Sequence, residues 1–296
     1  MNGRKSYRYQ VVDVFTRTPL EGNPLAVFSD AADLDSQTMQ RIARELSVSE
    51  TVFVVPSQRP DCVARLRIFT PRKELDFAGH PTIGTGFVLM QLGHVRAETD
   101  CFSVEENVGA IPIEVDRKER SMLWLRTPAV SDGPTIDKSK AAALVALAPG
   151  ELADAAPQIL SAGNPTLFIA LQSTAAVDRA SLDGAKWAAI RSRYHPDPMC
   201  AFVFAATSDG AYSRMFAPDY GVAEDPGTGS STGPLVLYMM RHGMKSAKAG
   251  SRFVSEQGAQ MGRRSFLHVR VHGENGRDGI DVGGFVTKVI DGELLI

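Results

Sequence analysis

Residues 75–86 read LDFAGHPTIGTG and run straight into the apolar FVLMQLG. A loop needing only flexibility would be more polar, and a helix needing only stability would not open on so much glycine. The same design returns later in the chain, where AGHPTIGTGFVLMQLG at 78–93 is matched by TGSSTGPLVLYMMRHG at 228–243. Each string is a glycine-rich turn, then a helix-favouring run, then a glycine suited to the left-handed position that closes a helix.

Two further strings repeat in the same order. GNP at 22–24, leading into LAVF, is answered by GNP at 163–165, leading into TLFIAL, and RIFTP at 67–71 is answered by RMFAP at 214–218. Three matches in one order predict two similar halves, 1–128 and 129–296. Pro, Gly, Ser and Asp cluster between them in TPAVSDGPT at 127–135. The strand-like tail GFVTKVI at 284–290 is free to pair with either half.

Val, Ile, Phe and Thr dominate short runs near 7–15, 24–28, 51–55, 63–69, 110–115 and 121–126, which predicts strands there. Met39, Ile42, Ala43 and Leu46 recur at helical spacing, so 36–46 reads as a surface helix capped by Asp35 or Ser36. The helix expected over 81–92 has almost no polar face, because Ile83, Phe87, Val88, Leu89, Met90 and Leu92 surround it. The matching run with Leu235, Val236, Leu237, Met239 and Met240 is equally apolar. Such helices are buried on all sides. The expected fold is therefore α+β, with two pseudo-symmetric domains, each a mixed sheet curled around a central buried helix. In the second half, 137–148 and 183–193 read as helices, and 199–205, 211–216, 251–256, 265–271 and 284–290 as strands.

With 44% apolar residues among 296 the chain can bury a substantial core, and 32 basic against 34 acidic residues create no field for nucleic acid or anionic lipid. The longest apolar runs, AAALVALA at 141–148 and PLVLYMM at 234–240, are too short to span a bilayer. Gln10 and Asp13 interrupt the start of the chain where a secretory signal would be apolar, so the expected compartment is the cytoplasm. Cys62, Cys101 and Cys200 are odd in number and widely spaced, and read as buried structural thiols.

A helix start carries unpaired N–H groups that an anionic ligand satisfies, aided by the helix dipole. If the halves face each other, the two glycine-rich starts converge on one cleft that suits a carboxylate; tight turns feeding a helix are the alternative reading. GTGSSTG at 227–233 has the wrong spacing and setting for a dinucleotide fingerprint, and no G-K-[ST] closes either turn. His268 and His272 read as a structural or exposed pair rather than a metal site. His94, His195 and His242 look like surface or helix-end residues.

Glu50, between Ser49 and Thr51 at the head of an apolar run, is a candidate acid/base, since partial burial would raise its pKa towards neutrality. A cap or solvated edge carboxylate is the other reading. Met199 stands at its place in the second half. Asp225, in AEDPGTGS, precedes the second helix start and reads either as a ligand-orienting group or as a turn former, and His80 is placed similarly in the first copy.

The strings DVFTRTPLEGNPLAVF, RIARELSVSETVFV, RIFTPRKELDFAGHPTIGT, RMFAPDYGVAEDPGTGSSTGPL and SEQG together resemble the PhzF-like isomerases, which share the diaminopimelate epimerase fold. That resemblance implies two pseudo-symmetric halves with the active site between them, usually as a homodimer. It implies Glu50 as the catalytic acid/base, with His80, Asp225, Gly229 and Ser230 holding substrate, and Gly79 and Ser49 beside them in the binding set. The implied reaction is a cofactor-free proton shift on a small carboxylated metabolite, as in trans-2,3-dihydro-3-hydroxyanthranilate isomerisation. Related epimerases and racemases use two cysteines at the helix starts; Ala78 and Thr228 stand there instead, which excludes a two-thiol racemase. The rival expectations are a non-catalytic small-acid-binding or interaction protein on this fold, and an epimerase or racemase that does not use a cysteine pair.

Overall fold

In the computed structural model, which describes residues 5–195 and 197–296, the chain forms two compact units. The first runs to Leu125 and takes in Gly283–Ile296; the second is Arg126–Val282. No helix among the described residues is long and apolar enough to cross a membrane.

The first unit contains β1 (Ser6–Val14), β2 (Asn23–Phe28), α1 (Ser36–Leu46), β3 (Glu50–Val55), β4 (Arg65–Phe69), β5 (Glu74–Leu75), α2 (Gly79–Gln91), β6 (Cys101–Glu106), β7 (Gly109–Val115) and β8 (Met122–Arg126). The C-terminal strand, Gly279–Leu295, pairs antiparallel with β1 through most of its length and also pairs with β8. With β1–β2 antiparallel, β2–β3 parallel, β3–β4 antiparallel, β4–β6 parallel and β6–β7–β8 antiparallel, the ladder closes into an eight-stranded barrel. Closure removes the sheet edges that would otherwise invite pairing with another chain.

Helix α2 fills the barrel, buried from Gly79 through Leu89. Its inner glycines explain the opening string. A Cβ on Gly84 would sit 2.6 Å from Leu25 and 2.8 Å from Val14, and one on Gly86 would sit 2.9 Å from Ile113. Two of the three glycines are thus set by close helix–sheet packing rather than by access of a ligand to the backbone, and only Gly79 stands at the helix start. Gly93, at φ 78°, takes the left-handed position just after the helix. Helix α1 lies outside the barrel, where Met39, Ile42 and Ala43 pack on Phe28, Phe53 and Phe69. Its cap is Asp35, which accepts from the Thr38 N–H at 2.7 Å.

The second unit contains β9 (Ser131–Thr135), α3 (Lys138–Leu144), β10 (Gln158–Ser161), β11 (Thr166–Leu171), α4 (Thr174–Arg179), α5 (Gly184–Tyr194), β12 (Cys200–Ala206), β13 (Gly210–Ala217), β14 (Val222–Asp225), α6 (Gly229–Arg241), β15 (Arg252–Gln257) and β16 (Ser265–His272). Its ladder runs β9–β10–β11–β12–β13–β15–β16, with β11–β12 and β13–β15 parallel, which repeats the parallel steps of the first unit. Strands β11 and β12 are buried on both faces. Phe168, Phe202 and Phe204 point to Leu235 and Tyr238 of α6, while Leu167, Ile169 and Val203 point to Val177, Trp187 and Ile190 of the outer helices. That is why TLFIAL and CAFVFAA read as continuous apolar runs.

The C-terminal strand, β17, begins in this unit, where Asp281 is buried against Arg126, Arg270 and His272. His272 is therefore structural.

The structure corrects the thiol expectation at two of three places. Cys200 is buried, but Cys62 is half-buried and Cys101 is exposed, because Cys101 opens β6 on its outer face.

Candidate active site

In the first unit the site begins at the head of β3. Register places Glu50 beside Leu25 of the parallel strand β2, two residues after Asn23. The same barrel positions α2, so its second residue, His80, comes up against both. Asn23 is fully buried and presents its Nδ2 to His80 Nδ1 at 3.3 Å. On the opposite side of the ring, Nε2 lies 3.2 Å from Glu50 Oε2, with side-chain exposures of 6% and 16%.

At that distance the pair looks like a salt bridge, but the imidazole is favoured in its neutral form on two physical grounds. Burial pushes its pKa down to about 3. Independently, an amide N–H facing Nδ1 requires a lone pair there, so the ring proton belongs on Nε2, facing the Glu50 carboxyl. The contact is off the line of a good hydrogen bond. A polar ligand group can compete for the same ring N–H. Ser49 precedes Glu50 and is half-buried, and Gly79 opens α2 in a buried position.

The second unit builds a related cluster from the same elements. Asn164, the counterpart of Asn23 in the repeated GNP, places its Nδ2 3.5 Å from Ser230 Oγ, and Ser230 is the second residue of α6 as His80 is of α2. Tyr220 Oη lies 2.7 Å from Asn164 Oδ1. Asp225 accepts a hydrogen bond from the Thr228 hydroxyl, and Gln257 holds both by donating to Asp225 O at 2.7 Å and to Thr228 Oγ1 at 3.0 Å. Gly229 follows Thr228 as the first helical residue. Gly258, at φ 77°, is required beside Gln257, since a Cβ there would meet the Arg263 carbonyl oxygen at 2.3 Å and that of Pro226 at 2.6 Å.

Glu50, Ser49, His80 and Gly79 thus fall in one unit, and Asp225, Gly229 and Ser230 in the other. One correspondence moves by a residue. Leu25 pairs with Glu50, and Thr166, which likewise follows Asn-Pro, pairs with Cys200; Cys200, not Met199, holds the place of Glu50. The Cys200 sulfur lies 3.8 Å from Asn164 Nδ2.

Four residues of these clusters carry no sequence expectation of their own: Asn23, Asn164, Tyr220 and Gln257. The signal for the two asparagines was present, since the only side-chain amide in each repeated GNP is the one that meets the helix start. Among the described residues no group of His, Cys, Asp and Glu is arranged to hold a metal ion.

Comparison with known proteins adds an independent line. The sequence profile of the family described as "Phenazine biosynthesis-like protein" matches residues 12–292. A trans-2,3-dihydro-3-hydroxyanthranilate isomerase of Pseudomonas aeruginosa is 34% identical, over 98% of this chain and 100% of its own length. That of Pseudomonas chlororaphis is 36% identical, over 90% of this chain and 91% of its own. Among solved structures, a PhzF-family protein of Bacillus anthracis superposes with a TM-score of 0.85 at 26% identity, covering 99% of this chain and all of its own, 100%. A hydroxyproline epimerase of Agrobacterium vitis shares the fold alone, with a TM-score of 0.67 at 12% identity over 98% of this chain and 93% of its own.

Proposed function

The chain belongs to the phenazine biosynthesis-like protein family and is an isomerase, and from that premise we propose that it shifts a proton within a small carboxylated metabolite, without a cofactor, using Glu50 as general acid and base. The observation that carries this reading is the half-buried Glu50 carboxyl set 3.2 Å from the buried His80 imidazole. An ionised carboxylate there takes a proton from a substrate C–H. The bonding pair shifts through the conjugated system, and the same carboxyl returns the proton to a second carbon, so atoms and charge balance. His80 offers its Nε2–H, which lies off the line to the Glu50 carboxyl, to a polar group of the substrate and so orients the exchange. Asp225, Gly79, Gly229, Ser230 and Ser49 hold the substrate; backbone N–H groups at Gly79 and Gly229 suit its carboxylate.

The family relatives point to trans-2,3-dihydro-3-hydroxyanthranilate as the first substrate to try. The working assembly on this reading is a cytoplasmic homodimer, which sedimentation of the purified chain tests. For the reaction, the protein is incubated in heavy water with that compound and a panel of related metabolite acids. The expected result is isomerised product together with solvent deuterium in the ligand, lost when Glu50 is changed to Gln. Binding of the acids with no isomerisation and no exchange would make the chain a small-acid-binding protein instead.

A further inference from the structure

Glu106, the last residue of β6, faces inward with Phe102 and Val104 and is 2% exposed. It sits against the opening of α2, whose capping residue, Ala78, has no side chain to cap with. The hydrogen atoms available there can be counted. Thr82 Oγ1 lies 2.6 Å from Ala78 O and 2.5 Å from Glu106 Oε1. A hydroxyl has a single proton, and both of those neighbours are acceptors when Glu106 is ionised. One contact would then bring two lone pairs together in a buried site. If Glu106 carries a proton, its O–H donates to Thr82, Thr82 donates to Ala78 O, and neither contact sets two lone pairs against each other.

The second unit supports this count. At the end of β15, the matching place holds Gln257, which accepts from the Thr228 N–H at 3.2 Å and donates to Thr228 Oγ1 at 3.0 Å. Gln257 is a permanently neutral group able to donate, in contact with the capping residue of α6 as Glu106 is with that of α2. The charged groups near Glu106 are otherwise engaged: Glu105 pairs with Arg65 of β4 at 2.9 Å, and Asp76 accepts from Asn107 at 3.2 Å. The titratable side chain on the first turn of α2 is the neutral His80.

We propose that Glu106 works as a neutral carboxylic acid and is the positioning residue that fixes the start of α2, and through it the place of His80 beside Glu50. The effect on turnover rests on the functional reading given above; the protonation does not. Burial agrees, pushing the Glu106 carboxyl up to about 8 against the opposing hydrogen bond of the Ala78 backbone. Because its folded pKa is raised, the stability it contributes is complete below the ordinary carboxylate range near 4.5 and is lost as pH rises through about 8.

Two measurements on the full chain test this. The first needs no substrate: an infrared difference spectrum between the wild type and Glu106→Gln at neutral pH is expected to show the C=O band of a protonated carboxylic acid, fading as pH rises through about 8. Carboxylate bands alone would overturn the proposal. The second is the pH profile. Glu106→Gln, which reproduces the Gln257 arrangement, is expected to keep kcat within a few-fold at neutral pH and to lose the alkaline decline, while Glu106→Ala drops kcat about 10²-fold from a displaced helix start. A Gln variant as impaired as the Ala variant, or one whose alkaline decline matches the wild type, would overturn it. Melting temperatures of both variants separate loss of fold from loss of positioning. A protonated-acid band without any turnover would sink the functional reading and leave the neutral acid standing.

Discussion

Asn23 Nδ2 meets His80 Nδ1 at 3.3 Å, and through that contact a strand residue decides which nitrogen of the ring carries the proton that faces Glu50. The arrangement is repeated with different chemistry in the second unit, where Asn164 meets Ser230 and lies near Cys200. A common scaffold of parallel strand pair and helix start thus carries an acid with an imidazole in one copy and a thiol with a hydroxyl in the other. The divergence is chemical rather than architectural.

Replacing Asn23 with Asp should move the ring proton. A carboxylate facing Nδ1 draws the proton to that nitrogen and leaves Nε2 as a bare acceptor opposite another acceptor, Glu50. Turnover is expected to fall by about 10²-fold or more, and the melting temperature falls as well because the new carboxylate is fully buried. Nitrogen chemical shifts of the His80 imidazole would report the tautomer directly. An unchanged tautomer with unchanged kcat would remove Asn23 from the site.

Glu50→Gln keeps the size and hydrogen-bonding reach of the side chain but cannot titrate. If Glu50 is the proton carrier, kcat drops by roughly 10²–10⁴-fold while ligand affinity stays within a few-fold. Calorimetric binding alongside steady-state rates distinguishes the two quantities. A variant that turns over normally would show that another group moves the proton.

His80 gives the fold an acid limit. Its folded pKa, about 3, lies below the ordinary 6.5, so the stability tied to the neutral ring is present above pH 6.5 and is lost as pH falls towards 3. The melting temperature of the wild type should therefore fall more steeply over that window than that of His80→Asn, which has nothing to protonate there. Parallel curves would mean that the ring is already charged in the folded protein.

Part of this organisation is readable in the sequence because it depends on periodicity. The all-apolar helix over 81–92 predicts burial, and α2 is buried within a closed barrel; the spacing of Met39, Ile42 and Ala43 predicts α1 at its observed limits. Strand β6 escapes prediction because CFSVEE ends on two acids, and an acid facing the core makes sense only once Thr82 and Ala78 arrive from another element. Strand β9, SDGPT, has turn composition and is a strand only through its ladder with β10. The offset between Met199 and Cys200 has the same origin: equivalence between the halves is set by strand register, and a register slip of one residue turns a side chain to the other face. Asn23 was visible as a mark of the repeat, but its chemistry needs the parallel pair and the helix start together.

The two kinds of helical glycine should respond oppositely to the same change. Gly84 lies where an added methyl would press on Leu25 at 2.6 Å and Val14 at 2.8 Å, inside a barrel with no free wall to yield. Gly84→Ala is expected to destabilise the protein by about 1–3 kcal/mol through overpacking, even though alanine is the better helix former. Gly184 opens α5 behind its cap Asp183, and a methyl there meets nothing within 4 Å. Gly184→Ala should therefore stabilise by about 0.4–1 kcal/mol, chiefly by restricting the unfolded chain. Thermal melts of both variants, at one pH and protein concentration, compare them directly. Equal signs for the two would mean that helix propensity, and not the space around α2, governs the glycines of the opening string.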